Sequence, residues 1–336
     1  MGTGRVRMVV ATVALAGLVG CQDGGGGRAA RSPGGEVTVR ALNVPDDLSI
    51  AVLMYLPQSI TVTQGSTVAW ALTGPEPHSV TFFPVGEGVP PLGSDRSLFA
   101  PTPAPDGAHD PRRLVNSGLV PRGPPPVAPF KLRFDAVGTY TYHCVLHPQM
   151  IGTVRVTTGG SEADTPARVN ERGERELRQW AAEGREAKRR LTSGPPASSP
   201  NPDGSLTWTV AMGASTAHTE VLAFAPVTAD LRPGDAVAFV NDSYAPHTAT
   251  FPGERPPPED PSSPEAAVPL PGPSPQPLPS GGEPAGTGTV PAASPAGSGL
   301  PLAARSFTFV VPQSGEFPYV CVYHRSSGMA GLIRVA

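Results

Sequence analysis

Apolar and polar positions alternate along much of the chain, in short runs such as Val37-Thr38-Val39-Arg40. A period of two, with many β-branched and aromatic residues, predicts strands that bury one face. The predicted strands are residues 37–40, 59–63, 67–71, 131–134, 139–142, 153–156, 207–210, 236–240, 306–310, 317–320 and 331–335. Short strands separated by turns predict an all-β fold built from Greek-key sandwiches.

The two halves of the chain repeat one spacing of Gly, His and Cys. His78 and His247 each stand 13 residues after a glycine, and Cys144 and Cys321 each stand 6 residues after one. The separation from His to Cys differs, at 66 residues in the first half and 74 in the second. We interpret this pattern as two copies of one fold that carry different loop insertions.

The stretch between the repeats has a charged pattern and separates two predicted domains, 36–157 and 205–336. Within this linker, 158–204, residues 167–191 hold 8 Lys or Arg and 5 Glu with few apolar positions. Such a composition predicts an exposed helix with ion pairs between neighbouring turns. We expect a solvated spacer, and a contact with anionic lipid or a partner is the alternative.

Proline and glycine are concentrated in particular segments. The 336 residues include 44 Pro and 39 Gly, a proportion that approaches that of low-complexity chains. Most of the excess lies in two predicted insertions, 84–129 and 252–301, each between the first His and the Cys of its own repeat. We expect the second insertion to be disordered over most of its length. The net charge of −3 argues against a general nucleic-acid binder, which would be strongly basic.

The start of the chain predicts export. Arg5 and Arg7 precede an apolar run of 13 residues, which is too short for a membrane span and typical of a signal peptide, here 1–20. The run ends in Leu18-Val19-Gly20-Cys21, which resembles the lipobox of bacterial lipoproteins. That resemblance implies a lipidated Cys21, a Gly-rich tether over 21–35, and an extracytoplasmic protein held at a membrane.

The remaining cysteines allow two interpretations. A disulfide between Cys144 and Cys321 is the simpler one in an oxidising compartment. However, each half places a His, a Cys, a second His and a Met in the same order. The sets are His78, Cys144, His147 and Met150, and His247, Cys321, His324 and Met329. Two imidazoles, a thiolate and a thioether form the donor set of blue copper sites, whereas structural zinc more often takes four strong donors.

These motifs resemble those of the cupredoxins, the blue copper proteins of the plastocyanin, amicyanin and pseudoazurin kind. The Cys-x2-His-x2-Met spacing of the first half is similar to amicyanin, and the Cys-x2-His-x4-Met spacing of the second to pseudoazurin. Ser79 and Thr248 stand where many members have Asn, and we expect their hydroxyls to hydrogen-bond near the Cys in its place.

The resemblance implies two tandem cupredoxin sandwiches, each with one type 1 copper, in a protein that transfers single electrons between redox partner proteins. It also implies that His147 and His324 present an imidazole edge to solvent as electron ports. Pro148, Met150 and Ile151 would give the first port an apolar rim, and Arg325 would make the second rim more polar. A copper-buffering protein without a fixed redox partner is the alternative.

Copper enzymes with richer chemistry fit the sequence less well. The chain has seven His, whereas the trinuclear centre of multicopper oxidases takes eight. A nitrite-reductase-like site would use His143, which precedes Cys144, but Phe83 stands where that family has a further His. His109 and His218 fall outside any such pattern. We therefore predict an electron carrier and not an enzyme.

Overall fold

The chain is mostly β-structure, as the alternating pattern predicted. The computed structural model describes residues 35–87, 89–90, 95–120, 127–159, 161–254, 274–279, 285–287, 306–311 and 313–336. The predicted signal peptide, Cys21, all but the last residue of the tether and most of the insertion 252–301 lie outside the described residues.

Among the described residues, ten strands precede one long α-helix and eleven follow it. The strands before the helix are β1 (Glu36–Ala41), β2 (Asn43–Val44), β3 (Asp47–Val52), β4 (Ser59–Thr63), β5 (Ser66–Leu72), β6 (Thr81–Phe82), β7 (Val115–Asn116), β8 (Phe130–Phe134), β9 (Gly138–His143) and β10 (Ile151–Thr157). The helix is α1 (Pro166–Ser193), and the strands after it are β11 (Ala197–Pro200), β12 (Leu206–Ser215), β13 (Thr219–Ala225), β14 (Thr228–Leu231), β15 (Ala236–Val240), β16 (Thr250–Phe251), β17 (Gln276–Pro277), β18 (Ala285–Gly286), β19 (Ser306–Val310), β20 (Gly315–Val320) and β21 (Ala330–Val335).

The first half is a sandwich of two sheets, ordered β1-β5-β8 and β4-β10-β9-β6-β7. Its core is centred on Trp70, which is fully buried and packs edge-on against Phe82 and Tyr142. Alternate residues of β1 and β5 supply this core, because successive strand side chains point to opposite faces. Cys144 and Met150 belong to the same buried cluster.

The second half repeats this arrangement with β14-β21-β20-β16-β18 as one sheet and β17-β19-β15-β12-β13 in the other. Phe239 takes the central place in its core and packs edge-on against Phe224, Phe309 and Tyr319. Cys321 and Met329 lie in this cluster. Each half therefore buries its predicted Cys and Met against its own aromatic core.

The sheets do not follow the predicted domain boundary. Strands β2 and β3, residues 43–52, lie within the predicted first domain, yet β3 pairs antiparallel with β13 and extends the sheet of the second half. In this pairing Val52 lies opposite Thr219, and Ile50 lies opposite Val221. Backbone hydrogen bonds thus join the two halves directly, and the range 36–157 is not a separate structural unit.

Helix α1 matches the predicted 167–191 within two residues at each end, but it is not a solvated spacer. Thr165 caps its N-terminus by accepting a hydrogen bond from the Arg168 amide, and Pro166 begins it. Leu177 and Trp180 are buried against the apolar residues of β2, β3 and the segment that follows. A Cβ at Gly184 would lie 2.4 Å from Ile50 Cγ2, so glycine permits this close approach.

Two ion pairs also join α1 to strands β1 and β3. The contact surface between α1 and strands β1 to β3 is the seam. Arg40 pairs with Glu174 at 2.7 Å, and Lys188 pairs with Asp47 at 2.8 Å. Because these pairs are partly exposed, each contributes at most about 1 kcal/mol, and the apolar contacts dominate the seam. No helix among the described residues combines the length and apolar character needed to cross a bilayer.

Candidate metal centres

The first predicted donor set comes together at one end of the first sandwich. The Nδ1 or Nε2 atoms of His78 and His147 and the Sγ of Cys144 all lie within 4.8 Å of one another, and all three residues are buried. Cys144 Sγ is 3.4 Å from His147 Nδ1. Met150, the fourth predicted ligand, is fully buried in the same cluster as Cys144.

Backbone hydrogen bonds fix the loop that carries three of these residues. Cys144 N–H donates to the Met150 carbonyl at 3.0 Å, and Met150 N–H donates to the His147 carbonyl at 2.8 Å. These bonds close a tight turn directly after β9, so the Cys, the His and the Met are held close together. Residues only six apart in sequence therefore supply three of the four predicted donors.

The second half builds the same arrangement from His247, Cys321 and His324, whose donor atoms also lie within 4.8 Å of one another. Cys321 Sγ is 3.3 Å from His324 Nδ1 and 3.8 Å from His247 Nδ1. Cys321 N–H donates to the Met329 carbonyl at 3.0 Å, and Met329 N–H donates to the His324 carbonyl at 3.1 Å. The longer loop here includes a single 3₁₀ turn, Arg325–Ser327, that ends at Gly328 with a φ of 85°.

Ser79 and Thr248 occupy equivalent places beside the two thiols. Each donates its backbone N–H to the neighbouring Cys Sγ at 3.4 Å. Each hydroxyl accepts the amide of the residue that follows the Cys, from Val145 and from Val322, at 2.9 Å. The hydroxyls therefore join the loop of the first His to the loop of the Cys.

The donor atoms suit a metal ion. His78 is fully buried, and neither of its ring nitrogens has a hydrogen-bond partner among the described residues. Leaving a buried polar atom unpaired costs about 1–3 kcal/mol, which a bond to a metal would offset. Burial alone would raise the pKa of Cys144, but His147 and His78 outweigh burial and hold that pKa well below its ordinary value. A thiolate is the form in which cysteine binds metals.

A buried carboxylate lies between the two centres. Glu76 is 3% exposed, and its Oε1 is 3.1 Å from His147 Nε2 in the first centre. Its Oε2 is 3.3 Å from His324 Nε2 in the second, a close charge contact rather than a well-directed hydrogen bond. No sequence signal had singled out Glu76.

The expectation that His147 and His324 form solvent-facing ports is wrong. Their side chains are 3% and 4% exposed, and both Nε2 edges face Glu76 where the halves meet. The packing of one half against the other therefore covers the edges that a lone sandwich would present to solvent.

The electrostatics around Glu76 favour the charged forms of Glu76, His147 and His324. Burial alone would raise the pKa of Glu76, but His324 and His147 outweigh it and hold the pKa well below its ordinary value. Burial would lower the pKa of His147, but the thiolate of Cys144 and the carboxylate of Glu76 raise it to about 10. The pKa of His324 is raised well above its ordinary value by Glu76 and Cys321, again against burial.

The second centre has an additional acid that the first lacks. Glu220 on β13 is fully buried, with its Oε1 3.6 Å from His247 Nε2. Its other oxygen accepts a short hydrogen bond from Ser215. His247 Nε2 also lies 3.0 Å from the hydroxyl of Ser243. The first His therefore has polar partners in the second centre, which distinguishes it from His78 in the first.

The three histidines outside the two sets each contact aromatic rings. His143 is half-buried with its ring 5.9 Å from that of Phe83, and His109 packs between aromatic rings of the first core. His218 stacks on Trp180 and pairs with Glu183 at 3.0 Å. Within the described ranges, the donor groups of three or more residues that could hold a metal are the two sets above.

The sequence comparisons match part of the chain. No protein-family model matches the chain. A plastocyanin of Synechococcus sp. (strain JA-2-3B'a(2-13)) is 32% identical over 108 residues, which are 32% of this chain and 65% of the relative. The match thus spans slightly less than two thirds of that curated relative's length.

Among solved structures, amicyanins are similar to part of the chain. An oxidised methionine-to-lysine mutant of amicyanin shares 21% identity, with a TM-score of 0.24, and covers 36% of this chain and 82% of its own. A reduced tryptophan-to-tyrosine mutant of amicyanin shares 22% identity, with a TM-score of 0.24, and covers 39% and 87%.

Proposed function

We propose that the chain is a blue copper protein with two type 1 sites and that it carries single electrons. The ligands would be His78, Cys144, His147 and Met150 in the first site, and His247, Cys321, His324 and Met329 in the second. Copper bound there supplies a one-electron couple between Cu(I) and Cu(II). The chain's own residues hold the donors, exclude water from them and hold the pKa of both thiols well below its ordinary value.

The observation that carries this proposal is the same buried donor set formed twice, each time with two imidazoles and a thiolate. Backbone hydrogen bonds already fix the loop of each site, and a hydroxyl already ties the two ligand loops together. Donors held in this way need little rearrangement when the charge of the metal changes, and preorganisation of this kind favours rapid electron transfer.

The sequence similarity to a plastocyanin supports an electron carrier rather than an enzyme. We further propose that the chain works outside the cytoplasm, at the outer face of a bacterial membrane, through a lipid on Cys21. Redox proteins at that surface would be its donors and acceptors.

Metal analysis with visible absorption and electron paramagnetic resonance tests this function. We expect two copper ions per chain, and we expect Cys144→Ser and Cys321→Ser each to remove one blue site and leave the other. A Ser substitution keeps the size of the side chain but replaces the thiolate. If either variant keeps the whole wild-type spectrum, that half is not a blue site.

A copper-buffering protein would bind the same two ions but pass no electrons to other proteins. Mixing the reduced protein with the redox proteins of a membrane extract separates the two functions. An electron carrier becomes oxidised by the extract, whereas a buffer stays reduced.

A further inference from the structure

The two predicted copper sites share one buried acid, although they belong to different halves of the chain. Glu76 lies two residues before His78, and its carboxylate reaches the second His of both sites, His147 at 3.1 Å and His324 at 3.3 Å. In both imidazoles Nδ1 faces the thiol, so Nε2 is the atom left to contact the acid. A continuous set of contacts therefore runs from one thiolate site to the other.

Local structure holds this acid in place. The Glu76 amide donates to Asn43 Oδ1 at 3.1 Å, and Pro75 and Pro77 flank the residue and restrict its backbone. Gly74 has a φ of 104°, and a Cβ there would lie 2.8 Å from Asn43 Oδ1, so glycine permits the turn. The backbone of Glu76 is thus held by its own loop, and its carboxylate contacts the two imidazoles.

The repeat supplies this acid only once. The second half has Ala245 in the equivalent position, two residues before His247, and Ala245 is 1% exposed. One carboxylate therefore contacts the second His of both sites.

We propose that Glu76 joins the two copper sites into one coupled pair, so that an electron passes between them inside the chain through His147 and His324. This inference rests on the proposed function. One electron leaves Cu(I) in one site and reduces Cu(II) in the other, so the first becomes Cu(II) and the second Cu(I). No covalent bond changes and no proton is lost, and no further reactant is needed.

Burial explains why the pair exchanges electrons internally. Because both Nε2 edges lie at the contact between the halves, an external protein cannot reach either imidazole directly. The same low-dielectric surroundings strengthen the contacts of the carboxylate with both rings. The Nε2 edges of His147 and His324 would serve as surface ports in a lone sandwich. In this chain they face each other across Glu76.

Electron exchange in partly reduced protein tests the proposal. A pulse of reductant delivers less than one electron per chain, and absorption then follows the redistribution between the sites. In wild type we expect a first-order phase whose rate does not change with protein concentration. In Glu76→Ala we expect that phase to slow by about 10- to 100-fold, the range typical for losing an outer partner of a metal ligand.

Matched variants keep the test specific. Glu174→Gln removes a partly exposed acid that pairs with Arg40 and touches neither site, and we expect the wild-type rate. Cys321→Ser leaves a single site, and the exchange phase should vanish. If Glu76→Ala keeps both blue sites and the wild-type rate, the proposal is wrong. If the wild type shows no blue site, it is the proposed function that fails.

A second measurement covers the case in which Glu76→Ala binds copper poorly. Nitrogen-15 spectra of histidine in the reduced, diamagnetic protein report the Nε2–H groups of both imidazoles, and Glu76→Gln conserves the volume of the side chain. We expect Glu76→Gln to shift both Nε2–H signals and the reduction potentials of both sites. A change confined to one imidazole and one potential would show that Glu76 serves one site only.

Discussion

Thr248 is the position at which the role of the hydroxyls beside the copper sites can be tested most cleanly. Its Oγ1 accepts the Val322 amide at 2.9 Å and the Thr250 hydroxyl at 3.1 Å, and all of these residues are buried. Thr248→Val keeps the shape of the side chain and removes the acceptor. Thr248→Ser keeps the hydroxyl and removes a methyl group, which gives the residue that the first half has at Ser79.

The expected magnitudes follow from these contacts. In Thr248→Val the buried amide of Val322 loses its acceptor, at a cost of about 1–3 kcal/mol in the free energy of unfolding. The Thr250 hydroxyl loses the same acceptor, which adds to that cost. In Thr248→Ser the lost methyl group costs about 0.8 kcal/mol, and the hydrogen bond to Val322 remains.

The assays are urea unfolding of the metal-free protein, which removes the contribution of bound copper, and hydrogen exchange of the Val322 amide. We expect Thr248→Val to be the less stable variant and to expose the Val322 amide to exchange, whereas Thr248→Ser keeps it protected. Equal protection of that amide in both variants would refute the reasoning, because it would show that the hydroxyl does not hold the Cys loop.

Two further predictions concern the seam and the anchor. Trp180→Ala should lower the free energy of unfolding by about 3–5 kcal/mol in urea titrations, because it empties a buried site between α1 and strands β2 and β3. The exposed neighbour Arg178→Ala should change the free energy of unfolding by no more than about 0.5 kcal/mol. Equal effects of the two substitutions would show that Trp180 does not stabilise the contact between α1 and the strands. Cys21→Ser should move the protein from the membrane fraction to the soluble fraction of cells, and retention at the membrane would count against lipidation of Cys21.

The sequence predicted the strands better than their partners. Alternation places one face of a strand in the core, but it does not say which strand lies beside it. Strand β3 and its partner β13 both lie outside the predicted strands, so the pairing of Ile50 and Val52 with residues about 170 positions later was not predicted either. Helix α1 shows a related limit. Its buried face combines Leu177 and Trp180 with Gly184, and small residues permit close packing without adding an apolar signal.

The ligand residues and their order along the chain could be predicted because their spacing is local. Each Cys, second His and Met lie within one short loop, and the first His and its neighbouring Ser or Thr lie at a fixed distance from a turn glycine. Such local spacings survive insertions elsewhere in the chain. The exposure of His147 and His324 was not predictable in this way, because it depends on how the two halves meet, and the single-domain resemblance gave the wrong answer.

The internal repeat did not reveal the role of Glu76. In sequence it is an acid between two prolines, and its partners follow 71 and 248 residues later. Comparison of the halves aligns it with Ala245, so the repeat pattern marks it only as a difference. That difference gives the two sites one carboxylate that contacts both second histidines, whereas Ala245 has no polar side chain. Residues that couple the metal sites of two tandem copies are therefore best sought beside the ligands, at positions where the two copies differ.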